Sequence, residues 1–462
     1  MSSKNQQVGY LPDERPPIIE LLLFALQQIV VMFPATVLVA LITHFHVSTT
    51  IFASGLSTLC FILVTGKKIP LYYGSSFSYI AAIASIMSAE AFATYSLDEK
   101  IAVAQFGIVM SGFVSIIAGL IIKRCGRATI DKVLPATVTG SIAIIIGLSL
   151  SKNAMANASA LPEHVTAIQT ALATNMSWVI ALVTLFSTII YSVYLKGKLS
   201  QLPILFGLLT GYAVALIIDR VTGIPYMVFN TIPAASSNPF ALPIFTLPIP
   251  SLAAVAAIMP IAIATIPEST AHVYQLDIYV NDLAKKKGSN KKYNIADKLG
   301  LNLIGDGIGD IISGAIGGPA GTNYGENISA MALSKIFSVP VLIVAAVITM
   351  IISCFTPLIN IIYSIPAPVI GGLSIYLFGV IAAQGIAIMM DQKVDMFSSK
   401  NLAIIAIILT IGLGGSFGFK GDGMIPMFGT QFPAIATAAV TGIVLNLLLS
   451  FGKTPEQVTE EE

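Results

Sequence analysis

The sequence predicts an all-α polytopic membrane protein of about 14 transmembrane segments, arranged as two inverted repeats of about seven spans each. Three observations carry this. Of 462 residues, 55% are hydrophobic and only 10% charged, where an ordinary soluble domain carries about 25% charged residues. Apolar runs long enough to cross a bilayer, about 20 residues, recur from near residue 18 to near residue 450. Two helix-hostile, glycine-containing segments, one in each half, share the pattern Y-G-x-x-x-S-x-x-A.

Taken in order, hydropathy places spans near 18–42, 49–66, 70–93, 101–122, 130–151, 175–195 and 201–219. A second set lies near 251–275, 296–316, 321–335, 338–360, 367–391, 401–414 and 430–451. Spans 70–93 and 321–335 should be part helix and part extended chain, and 401–414 is short. Loop charge alternates with this map. Lys67 and Lys68, Lys123, Arg124 and Arg127, Lys196 and Lys198, Lys285–Lys287 with Lys291 and Lys292, Lys335, Lys393, Lys400 and Lys453 fall on one side. The opposite side holds fewer, such as Lys100, Lys152, Arg220 and Lys420. The positive-inside rule then puts both termini in the cytoplasm of a multi-pass cell (inner or plasma) membrane protein. Residues 1–17 form a polar cytoplasmic tail with no evident cleaved signal, and 452–462 an acidic one (Glu456, Glu460, Glu461, Glu462). Stretches 152–174 and 220–250 read as ordered covers or loops, and the basic segment 282–293 as a flexible cytoplasmic linker. The net charge of +1 argues against a nucleic-acid partner. Cys60, Cys125 and Cys354 have neither metal nor disulfide spacing and read as small apolar core residues.

The repeat pairs Tyr73–Ala81 with Tyr324–Ala332. Each run lies in the third span of its half and follows a proline, Pro70 or Pro319. An odd number of spans per half requires the second half to enter the membrane in the opposite orientation. Broken backbone at membrane depth is tolerated where it is buried in protein or lines a cavity. Each motif would start a half-helix, with Ser75 or Ser76, and Thr322 or Asn323, as N-cap. Two helix N-termini would then offer free N–H groups to a ligand.

Carboxylates at the same depth are functional candidates by default, since each costs roughly 3 kcal/mol to bury at mid-bilayer. Glu268 and His272 are four apart and share a helix face; a structural pair between them is the bland alternative. Asp306, among Gly305, Gly307 and Gly309, lies near mid-depth, either as a functional acid or as a partner for freed backbone. Asp310 lies four residues further on, at the spacing of one helix face. Glu326 and Asn327 follow in the broken span. Gln27 and Gln28 in the first span are hydrogen-bonding residues, for ligand or for helix packing. No second ligand lies at metal spacing from His272, and no nucleophile–base set supports a membrane enzyme. Helix N-termini donate and glutamates accept. An anion would be repelled by the glutamates, and an inorganic cation by the helix ends. A neutral molecule with alternating N–H and C=O groups, such as a nucleobase, suits both, and can stack on Phe77 or Tyr324.

On these residues the chain resembles the nucleobase–ascorbate transporters, the nucleobase:cation symporter-2 family, and within it the bacterial uracil permeases. The resemblance runs from about Leu21 to about Leu449. It rests on Leu26–Gln27–Gln28, Gly74–Ser75–Ser76–Phe77, Glu268 with His272, Gly305–Asp306–Gly307, and Tyr324–Gly325–Glu326–Asn327 continuing to Ser334–Lys335. It implies a core domain (18–122 and 251–360) and a gate domain (130–219 and 367–451), with substrate between them. It also implies proton symport with no other cofactor, and a homodimer. Glu268 and Glu326 would bind the base by side chain, Phe77 and Gly325 by backbone, and Tyr324 would line the site. His272, Asp306, Asn327, Gln28 and Ser76 would serve proton coupling or support. Gln28 stands where the family usually has histidine, Ser329 replaces a glycine and Ser334 a threonine. Glu326, where many xanthine and urate carriers have glutamine, favours uracil. The alternatives are a xanthine or guanine symporter of the same family, or an anion transporter on a related inverted-repeat fold.

Overall fold

The computed structural model describes residues 9–126, 132–162, 165, 169–228, 238–419, 423–427 and 430–450. Arg127, Lys420, Lys453, the acidic tail and the side chain of Lys198 lie outside the described residues.

Most of the described residues are helical, as the hydrocarbon interior requires of a chain that must satisfy its own backbone. The first half has α1 (Ile18–Thr43), α2 (Val47–Val64), β1 (Tyr73–Ser75), a tight turn (Phe77–Tyr79) leading into α3 (Ile80–Ser88), α4 (Leu97–Cys125), α5 (Ala136–Ser149), α6 (Ser151–Ala158), α7 (Thr170–Tyr194) and α8 (Pro203–Thr222). The second has α9 (Leu252–Ile258), α10 (Ile261–Lys286), α11 (Leu299–Ile316), β2 (Gly321–Asn323), α12 (Gly325–Ser334), α13 (Val339–Ile352), α14 (Thr356–Tyr363), α15 (Ala367–Asp391), α16 (Ser399–Gly418), a hairpin β3 (Met424–Met427) and β4 (Thr430–Pro433), and α17 (Ala434–Ser450). Among the described residues ten helices are long and apolar enough to cross a membrane.

The helices pack in two groups. In one, α1, α2, α4, α9, α11 and α13 lie together; in the other, α5 to α8 surround α15, with α16 and α17 beside α5. Each group is joined by backbones in direct contact, as small residues allow between membrane helices. A Cβ built on Gly307 of α11 would stand 2.3 Å from the carbonyl oxygen of Gly112 on α4, and one on Gly300 2.7 Å from that of Gly119.

The two broken spans meet in the middle. β1 and β2 run antiparallel, pairing Tyr73 with Asn323, Gly74 with Thr322 and Ser75 with Gly321. The ladder extends one bond each way, Ser76 N–H to Ala320 O (2.9 Å) and Tyr324 N–H to Tyr72 O (3.0 Å). Side chains from neighbouring helices satisfy what remains. Ser54 and Thr58 of α2 donate to Tyr73 O at 2.8 and 3.0 Å. Asp310 of α11 accepts from Tyr73 OH at 2.5 Å and from Gly321 N–H at 2.8 Å through the same oxygen.

Four expectations change. Ser76 does cap its turn, accepting from Ser78 N–H at 3.3 Å, but Thr322 and Asn323 are not N-caps, because the ladder holds them extended and α12 starts after Tyr324 with no side-chain cap. The shared motif aligns Tyr73 with Tyr324, an offset of 251, whereas the strands begin at Tyr73 and Gly321, an offset of 248. The structural repeat is therefore three residues out of register with the sequence match, and Phe77 corresponds to Gly325 as the first residue of each helix. The cysteines are not core: Cys125 is exposed, and Cys60 and Cys354 are partly so.

The segment 282–293 is no free linker. α10 runs on to Lys286, and Lys287 and Lys291 bridge to Glu14 and Asp13, both at 2.6 Å. Residues 9–17 are likewise packed. Tyr10 and Leu11 are each 4% exposed, and Tyr10 pairs with the α12–α13 connection through Lys335 O (2.9 Å) and Phe337 N–H (2.8 Å).

Candidate functional site

The crossing of β1 and β2 forms one wall of a cavity of about 630 Å³ between the two helix groups. Ser76, Phe77, Glu268, His272, Tyr324, Gly325 and Glu326 all line it. Seven residues predicted from three separate spans thus converge. Phe77 and Gly325 open the helices that follow each strand, so two helix N-termini, entering from opposite directions, face the same space. Glu268 and Glu326 are half-buried, and their charges are close enough to interact. Among the described residues no side chain hydrogen-bonds either carboxylate, which leaves both as open acceptors.

Tyr324 is held in place. Its hydroxyl donates to Ser75 O at 2.9 Å, so Thr36 must donate to it, also at 2.9 Å. The hydroxyl end of its ring lies against Gly74, where a Cβ would stand 2.4 Å from the ring. The glycine admits the ring, and the ring closes the ladder. His272 does not pair with Glu268. Its ring lies against the Asn323 backbone and against Gly325, where a Cβ would stand 2.8 Å from Nε2. Its Nδ1 has no partner among the described residues.

Asp306, Asn327 and Gln28 do not line the cavity; they stand behind it. Asp306 Oδ2 accepts from Ser269 (2.7 Å), Asn302 (3.1 Å) and Asn323 (3.2 Å), tying α10, α11 and β2 together. Asn327 Nδ2 donates to Gln28 O (3.0 Å) and Oε1 (2.8 Å), which fixes α12 against α1. Glutamine at 28 is thus used between helices. Gln27 is only half-buried, beside it. Asp310 has a larger part than its spacing suggested, since one of its oxygens holds both strands. Among the described residues no group of three His, Cys, Asp or Glu side chains could hold a metal ion.

The second wall was not legible. It comes from Thr139, Ala143 and Ile146 of α5 and from Leu377 to Asp391 of α15, including Gln384. Gln275, seven residues after Glu268 on the same face of α10, also lines the cavity. A lone glutamine in an apolar run was the available signal. From here the cavity continues past Gln275 and Asp391 into a larger one of about 830 Å³, lined by Tyr279, Lys400 and Asn401. Toward the other end a separate pocket of about 100 Å³ lies near Ser88 and Lys152.

Comparison with known proteins identifies the family and the fold. The profile described as "Permease family" (Xan_ur_permease) matches residues 19–421. The uracil permease of Bacillus caldolyticus is 34% identical over 94% of this chain and 93% of its own. That of Bacillus subtilis is 33% identical over 95% and 94%. A putative pyrimidine permease of Escherichia coli is 31% identical over 95% and 91%. Among solved structures, the transmembrane domain of a cyanobacterial bicarbonate transporter, BicA, superposes with a TM-score of 0.57 at 15% identity, covering 95% of this chain and 99% of that one. The overall structure of SLC26A9 gives 0.62 at 13%; this chain spans 65% of its length. These two share the fold and no more. By the family profile and by its relatives, the chain belongs to the xanthine–uracil permease family, the nucleobase:cation symporter-2 family, and is a membrane permease.

Proposed function

We propose that this protein imports uracil by proton symport. The observation that carries the reading is the cavity, where two unpaired carboxylates and two helix N-termini meet. Glu268 and Glu326 accept the N–H groups of the base, and the N–H groups at Phe77 and Gly325 donate to its carbonyls. A pocket that satisfies such edges rejects ligands that leave its buried polar groups unpaired. The uracil permeases and the pyrimidine permease among the relatives support a pyrimidine over xanthine or guanine. The anion alternative shares the fold, but two glutamates in the cavity oppose it.

Ten long apolar helices, three shorter ones (Phe77–Ser88, Val339–Ile352 and Ala434–Ser450) and the short α12 support a reading of fourteen spans. The two helix groups support a core domain carrying the ladder and a gate domain built on α5 and α15. The 830 Å³ opening lies at the end with Lys400 and the α10 lysines, which the loop charges assign to the cytoplasm. In this arrangement the site is open inward. Glu268 takes a proton from outside, the base binds, and rocking of gate against core releases both inside. His272, Asp306, Asn327, Gln28 and Ser76 hold the site in shape. The family resemblance adds a homodimer, which cross-linking in membranes checks.

The test is uptake of radiolabelled uracil into cells lacking their own carrier, with xanthine as competitor and a protonophore. Uracil uptake that the protonophore abolishes is the expected result. Xanthine uptake without uracil uptake overturns the substrate, and indifference to the proton gradient overturns the coupling. Glu326→Gln should lose uptake; full activity in that variant removes Glu326 from its role.

A further inference from the structure

The cavity has two unlike walls. One brings Glu268, Glu326 and the two helix N-termini. The other is mostly apolar. Val380, Ile381, Gln384, Ala387, Ile388 and Asp391 of α15 line it, three or four residues apart and so in one stripe along the helix. Asp391 ends the helix, at the mouth shared with the larger opening. Gln384 is the polar residue in the middle of the stripe. It is exposed to the cavity, and its amide makes no hydrogen bond among the described residues.

The backbone that carries Gln384 is fixed. Its neighbour Gly385 touches α5 directly: a Cβ there would stand 2.4 Å from Gly140 O, and one on Gly140 2.6 Å from Gly385 O. The amide is therefore held at a set height in the cavity. Solvated, it is satisfied by water. Once the walls approach and water leaves, an unpaired amide is strongly unfavourable. The chemistry of the opposite wall says what it can pair with. Glu326 as a carboxylate accepts only, and Glu268 keeps acceptor lone pairs even with the symported proton on it, so both serve the N–H groups of a base. Each ring carbonyl has two lone pairs; the helix N-termini reach them from one wall, and on the α15 wall the donor at mid-depth is the Gln384 NH2.

We propose that Gln384 reads the substrate from the α15 wall: its amide donates to a ring carbonyl of the bound base, and the walls close only around an occupant that supplies this partner. This makes Gln384 a specificity-determining residue, and it rests on the nucleobase reading above.

The test is uracil uptake by Gln384→Met, which keeps the length of the side chain without its polar atoms, and by Gln384→Asn, which keeps an amide at shorter reach. Both are normalised to protein in the membrane. Competition uses 2-thiouracil and 4-thiouracil, since sulfur accepts hydrogen bonds more weakly than oxygen. Gln384→Met should raise KM for uracil about ten-fold, the loss of one hydrogen bond. It should also erase the preference for uracil over one thio analogue while leaving the preference over the other. Gln384→Asn should keep part of that preference, and serves alone if the Met variant fails to reach the membrane. A uniform rise in KM with both preferences intact indicates packing and overturns the proposal. So does a KM within about two-fold of wild type with both preferences intact. If the wild type takes up xanthine and not uracil, the uracil reading falls by itself. The same comparison with 2-thioxanthine and 6-thioxanthine then decides Gln384: an erased preference supports it, a retained one overturns it. If the wild type takes up no base, both readings fall.

Discussion

Asp310 should be among the most sensitive residues in the protein, although it does not line the cavity. One carboxylate oxygen receives the Tyr73 hydroxyl at 2.5 Å and the Gly321 N–H at 2.8 Å, both fully buried. The first donor belongs to β1 and the second to β2, so Asp310 pins both strands of the crossing to α11. Hydrogen bonds to a charged group contribute about 1.5–3 kcal/mol each. Asp310→Ala removes two and strands two buried donors, a loss of about 3–6 kcal/mol. Tyr73→Phe removes one and leaves the Gly321 bond, a loss of about 1.5–3 kcal/mol. Asp310→Asn keeps an acceptor without the charge and should fall between wild type and Ala. Thermal unfolding of the purified protein in detergent should rank the variants in that order. Hydrogen exchange at the Gly321 amide should accelerate in Asp310→Ala and stay slow in Tyr73→Phe. An Asp310→Ala protein that melts with wild type, or a Tyr73→Phe protein as damaged as Asp310→Ala, would refute the two-donor account.

Gly307→Ala should force α4 and α11 apart, because its methyl would stand 2.3 Å from Gly112 O; a loss of about 1–3 kcal/mol is expected for such overpacking, read as a lowered Tm, while alanine at Gly379, which has open space within α15, should not lower Tm, since alanine is the better helix former. The N-terminal clamp should respond to acid. Burial alone would push the Asp13 carboxyl up, but its hydrogen bonds to Lys291 and Tyr293 hold it below the usual carboxylate range. A depressed value stabilises the clamp above the ordinary carboxylate pKa of about 3.9 and the effect is lost as pH falls through the lower folded value. Exchange protection of residues 9–12 should therefore be flat from neutral pH to about 4 and decline below it. The change should be small, about 0–1 kcal/mol, since both partners are half exposed, and Asp13→Asn should abolish the acid-dependent step.

Much of this was legible. The span expected at 367–391 is α15, Ala367–Asp391. The two segments read as broken helix are β1 and β2. Glu268, His272, Tyr324 and Glu326 came from chemistry alone, because a carboxylate or a broken backbone in an apolar run has few tolerable explanations. Other features left little trace. In a soluble helix one polar face reveals the packed side; in lipid both faces are apolar, so the hydropathy of α5 and α15 could not say which residues face a cavity. Asp310 looked secondary because its partners, Tyr73 and Gly321, are 237 and 11 residues away. The three-residue error in the repeat arose because Tyr–Gly recurs by residue type, whereas the true equivalence is set by backbone hydrogen bonds, which side chains do not encode.

The amino-acid sequence by itself determined the class of molecule, the few carboxylates set within apolar runs and the places where helix must fail, since each follows from the cost of polar groups in hydrocarbon. Only the tertiary structure decided that the two failures complete each other. Neither Tyr73–Ser75 nor Gly321–Asn323 can satisfy its own backbone, and their antiparallel pairing, far apart in the chain, satisfies both and brings two helix ends and two glutamates to one cavity.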